Sequence, residues 1–256
     1  MDHRLNLKDL TGEKFLKYIR DLESDCTTMT IRALPELGEK APDCYEALGM
    51  TLALLDCGSS CFWGCKGGDH RLEYLIGRAT STAYAAVGLA VRGYYDQALS
   101  LARTLGEIGN LVSLFAVDAK RIDEWKTLDE RTRKERFSAY NVRVALEKMG
   151  FPDVPINKDR YGRLSVYSIH AIPDQMPQAH GAEGRAIAYP VFQVGGFILA
   201  LNEIALPVAF IALSAGKLLE LQAEVSETFR EIAHALGGAV GGIAIDVNGR
   251  PWFRLN

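Results

Sequence analysis

The 256-residue sequence has no GxxxxGK[ST] phosphate loop, no HExxH, no GxSxG elbow and no paired CxxC. Their absence removes the motif-level grounds for P-loop nucleotide chemistry, zinc proteolysis, serine hydrolysis and a four-cysteine zinc site. An excess of charge of one sign is missing too. Lys and Arg number 29 against 32 Asp and Glu, a net charge of -3 that gives no general attraction for nucleic acid. The one local basic run, 131-RTRKER-136, lies beside Asp129, Glu130 and Glu135 and reads as a solvated helix face. The polar opening 1-MDHRLNLKDLTGEKF-15 contains no apolar signal segment, and the five cysteines are an odd number. Both features lead to the expectation of a reducing cytoplasm without disulfides. Alternating strand patterns are scarce, and no internal repeat is visible.

Apolar residues instead recur at three- and four-residue intervals, so the expected fold class is all-α, a multi-helix bundle forming a single domain over 1–256. A first helix is predicted over about residues 8–33 with Leu10, Phe15, Tyr18, Ile19, Leu22 and Met29 in register, stopped by Pro35. A second runs from about Pro42 to Cys65. A third is capped by Asp69 and turns Leu72, Leu75, Ala79, Ala83, Ala86 and Ala90 inward. A fourth follows Gly93, with Leu99, Leu105, Ile108, Val112 and Phe115 for the core, and a more charged fifth covers about 118–149. The stretches 150–163 and 171–184 read as connectors, with a short helix from Leu164 to His170 between them. A final amphipathic helix is predicted over 217–238. Apolar flanks around Asn248-Gly249 predict a short C-terminal β-hairpin, so that 217–256 holds a helix and a hairpin.

The run 186-AIAYPVFQVGGFILALN-202 carries no charge and leads to 204-IALPVAFIALSAG-216. The first piece falls just short of the ~18 apolar residues of a spanning helix and contains Pro190, Gln193 and Asn202; Glu203 separates it from the second piece, which contains Pro207. A helix apolar on all sides at the centre of a soluble bundle fits better than membrane insertion.

Cys57, Cys61 and Cys65 stand four residues apart and are followed by His70. On a helix Cys57 and Cys65 would lie about 12 Å apart along the axis, too far to share one ion at ~2.3 Å metal–sulfur distances. Interleaved with Gly58, Ser60, Gly64 and Gly68, the thiols read as the small, buried side of a close helix contact, and neither metal nor cofactor is expected. One alternative remains open, because Gly67-Gly68 would let the chain curl back and bring His70 to Cys61 and Cys65. The one ExxH pair, Glu231 and His234, lacks the further ligands a di-metal bundle needs and reads as structural.

In RYGRLSVYSIHAIP, Arg163 and His170 are seven positions apart, nearly two turns of helix. On one helical face a fixed cation can hold a phosphate while an imidazole, with an ordinary pKa near ~6.5, moves a proton. In 103-RTLGE-107, Arg103 and Glu107 share a face as well. The first element resembles the Arg-(four to six residues)-His motif of HEPN proteins, and the second resembles, in reversed order, the acid and base pair those bundles carry on an earlier helix. The resemblance extends over about residues 68–215, including GYYDQALSLARTLGE. It implies an all-α, metal-independent RNA-cleaving protein of the toxin or phage-defence kind, working as a homodimer. His170 would be general acid or base, Arg163 would stabilise charge on the phosphoryl oxygens, and Arg103 and Glu107 would orient that pair. Leu164 stands where active members often have a polar residue. With the acidic net charge, it favours the alternative of a non-catalytic helical binding or assembly protein.

Overall fold

The computed structural model describes residues 11–38, 40–62, 65, 68–151, 154–170, 188–219 and 221–240. These residues are all-helical, with ten α-helices and a short 3-10 turn at Leu34–Glu36. The helices are α1 (Gly12–Ala33), α2 (Lys40–Ser59), α3 (Arg71–Val91), α4 (Tyr95–Val117) and α5 (Lys120–Thr127). They continue as α6 (Glu130–Arg136), α7 (Ala139–Lys148), α8 (Lys158–Ser168), α9 (Val194–Leu218) and α10 (Ala223–Val240). The expected hairpin around Asn248-Gly249 falls outside the described residues.

The axis of the bundle is α9. Its residues are apolar on every side, so a single neighbour cannot bury it, and α2, α3, α4 and α10 surround it. By length and composition α9 could cross a membrane, yet most of its apolar length is buried within the fold. It is one continuous helix that passes through both Glu203, which divides the two apolar runs of the sequence, and Pro207. Pro207 removes one backbone donor, and packing on all sides holds the helix through the defect.

The alanines of α3 perform the predicted function. Ala79, Ala83, Ala86 and Ala90 are buried in one cluster with Leu48, Leu52 and Leu55 of α2, Leu105 and Val112 of α4, and Phe229 and Leu236 of α10. Small side chains let the axes approach, and the larger residues of the neighbours fill the space between. Gly93 joins α3 to α4 at φ +86, a left-handed conformation, and the backbone of Val191 lies 2.8 Å from where its Cβ would be. Two residues on, the buried Tyr95 ring lies against Gly196, and its hydroxyl accepts from the Gln193 amide at 2.9 Å.

Several boundaries differ from the sequence expectation, each for a local reason. The charged helix expected over 118–149 is three short helices, because Asp129 and Ser138 turn their side chains onto the amides of Thr132 and Asn141 and start new helices. Asn157 does the same for Arg160, so α8 begins inside the expected connector. The predicted apolar face of α1 is mostly solvent-facing: Phe15 and Met29 are exposed, and only Cys26 and Thr30 are buried. The basic run in α6 is a solvated face, as expected, with Lys134 paired to Glu130 and Arg131 to Glu135.

Candidate functional site

Arg103 and Glu107, two of the residues singled out in the sequence, lie on α4 where it meets α8. Residues of α4 face α8 in antiparallel order. Ser100 Oγ donates to the carbonyl of Ser168, in the last turn of α8, at 2.8 Å. One turn further along α4, the Arg103 guanidinium stacks on the Tyr161 ring at 4.1 Å and donates to the Tyr161 hydroxyl. Arg103 also pairs with Glu107 at 3.3 Å, as the four-residue spacing predicts.

Further along α4, Asn110 is 1% exposed and grips the connector before α8. Its Nδ2 donates to the Ile156 carbonyl at 2.9 Å, and its Oδ1 accepts from the Ile156 amide at 3.1 Å. The side chain thus copies a backbone partner for a segment that has no ladder of its own. Gly106 and Gly109 make the approach possible. A Cβ on Gly106 would come within 2.7 Å of Ile156 Cβ, and one on Gly109 within 2.8 Å of Pro155 Cβ. Asn110 belongs to none of the sequence motifs, although 106-GEIGN-110 carries the signal of two small residues beside a polar one on an apolar helix.

The other side of α8 is tied to the central helix. Arg160 Nε donates to Glu203 Oε2 at 2.5 Å, and Glu203 is 2% exposed. A carboxylate this deep in an apolar helix is tolerable only with such a partner. Beside the pair, Leu164 is buried among Leu99 of α4, Leu199 of α9 and Ile156. The position next to the motif arginine is therefore part of the core.

Of the four predicted site residues, Arg103 and Glu107 meet at the first turns of α8. Arg163 is half-buried on α8 itself. His170 is exposed and lies beyond the helix. Ile169 ends α8 at φ -125 and ψ -45, and the His170 amide bonds to the Ser165 carbonyl at 2.9 Å. The expected helix from Leu164 to His170, and with it a helical face shared by Arg163 and His170, is thus replaced by a helix that stops two residues short. Tyr161 and Ser168 are seven residues apart, so the Arg103 contact and the His170 end of α8 are separated by about 10 Å along the helix axis. Comparison with family models, curated proteins and solved structures gives no match.

The cysteines also depart from expectation. Cys44 and Cys26 are buried, whereas Cys61 and Cys65 are exposed, because α2 ends at Ser59 and carries neither of them. A close helix contact does not account for these two thiols. Glu231 and His234 do not enter the core of α10, which is built from Phe229, Ala233, Leu236 and Val240.

Proposed function

We propose that the chain is a HEPN-like, metal-independent RNA-cleaving protein of the toxin or phage-defence kind, acting as a cytoplasmic homo-oligomer at the exposed end of α8. One observation carries the reading: α8 is held at both ends, by Arg103, Asn110 and Glu203 at its start and by Ser100 at its last turn, and the exposed His170 directly follows it. A side chain on so fixed a support loses little freedom when it meets substrate.

The chemistry is transfer of a phosphoryl bond within RNA. The ribose 2′-oxygen bonds to phosphorus as the bond to the 5′-oxygen breaks, leaving a 2′,3′-cyclic phosphate and a 5′-hydroxyl. His170 takes the 2′ proton while water protonates the leaving 5′-oxygen, or protonated His170 supplies the proton of the leaving oxygen while water takes the 2′ proton, and Arg163 offsets charge on the phosphoryl oxygens. Arg103 and Glu107 act through Tyr161 as positioning residues. Incubation of total RNA with the full chain, in the presence of a metal chelator, tests the reading. Expected are cyclic-phosphate ends and a ~10²–10⁴-fold loss of cleavage in His170→Ala without loss of helicity. Folded wild-type protein that cleaves none of several RNAs would overturn it.

The second reading is a non-catalytic binding or assembly protein that keeps the bundle. The burial of Leu164 and the commitment of Arg103 to Tyr161 and Glu107 favour it. It expects no cleavage by wild type and none of the mutant differences.

A further inference from the structure

At the corner between α2 and α3, two segments of chain deliver sulfur and nitrogen to one place. The sulfurs of Cys61 and Cys65 and a ring nitrogen of His70 all lie within 4.8 Å of one another. Cys65 Sγ is 3.6 Å from His70 Nε2. Tetrahedral zinc, with bonds of about 2.3 Å to sulfur and about 2.0–2.1 Å to nitrogen, holds its ligand atoms about 3.5–3.8 Å apart. The Cys65–His70 separation already has that value, and closing the remaining pairs takes shifts of about 1 Å at most.

The histidine is oriented for the task on both nitrogens. Nε2 faces the thiols, while Nδ1 faces Glu73 Oε1 at 3.7 Å, one turn into α3. A carboxylate behind the second nitrogen is the arrangement that fixes the tautomer of a metal-bound histidine. His70 also has φ +49, and among the described residues it is the one non-glycine residue with positive φ. An L-residue is uncommon there, and such conformations cluster at functional positions. The neighbouring carboxylate, Asp69, is occupied by Lys126 at 3.1 Å and Arg71 at 3.6 Å. The three ligand groups line a cleft of about 360 Å³ together with Glu73, Tyr74, Leu219 and Leu221. It contains none of Arg103, Glu107, Arg163 or His170.

We propose that Cys61, Cys65 and His70 form a zinc site, with Glu73 as the positioning carboxylate behind His70 and the fourth coordination position open to the cleft. Binding converts both thiols to thiolates and releases their protons, so no oxidant or reductant is required. The site is the alternative left open by the sequence, in which the chain curls back and brings His70 to Cys61 and Cys65. It is independent of the RNA-cleaving reading, since neither set of residues enters the other.

The test is titration of the reduced, full-length protein with Co2+ and then Zn2+. Expected are one metal per chain, sulfur-to-cobalt charge-transfer absorption, loss of that absorption as zinc displaces cobalt, and protection of Cys61 and Cys65 from alkylation by zinc. Glu73→Gln should weaken binding about 10–100-fold, and His70→Ala by more. Cys61 and Cys65 are exposed, so their serine variants keep the fold, which circular dichroism checks. Reduced wild-type protein without sulfur-to-cobalt absorption overturns the proposal, as does zinc binding unchanged in the Cys61→Ser, Cys65→Ser double variant. A Cys61–Cys65 disulfide that forms in air, combined with no metal uptake after reduction, overturns it as well.

Discussion

At the α4–α8–α9 contact, side chains of the kind that perform chemistry are taken up by one another: Arg160 by Glu203, Arg103 by Glu107 and Tyr161, Asn110 by the backbone of Ile156. At the α2–α3 corner, thiols of the kind that pack in cores stand in solvent beside a histidine in a left-handed conformation. The two regions teach the same lesson from opposite sides. Residue type states what a side chain can do, and its surroundings decide what it does. A charged group within the bundle must find a partner or leave, and its partner then becomes part of the packing. A thiol beyond the end of its helix is left outside the core, beside polar groups and solvent.

If this contrast holds, mutation should cost stability in the first region and leave it nearly untouched in the second. The largest effect belongs to Glu203→Ala, which strands the Arg160 guanidinium against apolar α9. Urea unfolding should register a loss of about 3–5 kcal/mol, most of it recovered when Arg160 is replaced by Met as well. A loss comparable to that of an exposed pair, under about 1 kcal/mol, would break the contrast.

Next comes the hook on the connector. Asn110→Ala removes both partners of buried backbone groups of Ile156 and should cost about 1–3 kcal/mol. Gly106→Ala should cost a similar amount, about 1–3 kcal/mol, because the new methyl overlaps Ile156. Neither residue is exposed, so a loss of RNA cleavage without loss of stability would reassign them.

Alkaline pH offers a third comparison. Burial pushes the Cys44 thiol up to about 12 from an ordinary 9.0, and burial likewise pushes the Tyr95 hydroxyl up to about 12 from 10.0. When the unfolded thiol ionises near pH 9 the folded one keeps its proton, so the unfolded state gains. The stabilisation is therefore complete below about pH 9 and is lost as pH rises toward 12, at up to about 1.4 kcal/mol per pH unit for each group. Thermal melts from pH 8 to 11 should show the decline, and Cys44→Ala should flatten its first part.

The smallest effect sharpens the contrast most directly. Without metal, Cys61→Ser should change stability by no more than about 0.5 kcal/mol, as at other exposed positions. Native alkylation followed by mass spectrometry should label Cys61 and Cys65 quickly and leave Cys26 and Cys44 unmodified. Equal labelling of all four would show that the buried thiols open readily.

What could be read directly was the periodicity. The apolar spacing of α3 and α4 put Ala83, Ala86, Leu105 and Phe115 where the core needs them, and the apolar runs 186–202 and 204–216, on either side of Glu203, marked the central helix. Pairing of Arg103 with Glu107 was legible from spacing alone. Less legible were the ends of elements: one capping side chain, at Asp129, Ser138 or Asn157, outweighs several residues of helical propensity. The end of α8 before His170 belongs with these.

The sequence by itself determined the all-helical class, the apolar axis, and which residues could face inward, since each follows from the 3.6-residue period and the cost of exposing apolar surface. Only the tertiary structure decided that Glu203 meets Arg160, that Asn110 holds Ile156, and that Cys61, Cys65 and His70 converge. Each of these depends on where two chain segments meet in space. The position of that meeting is set by how the helices close around α9, a sum over many weak contacts that no local stretch of sequence contains.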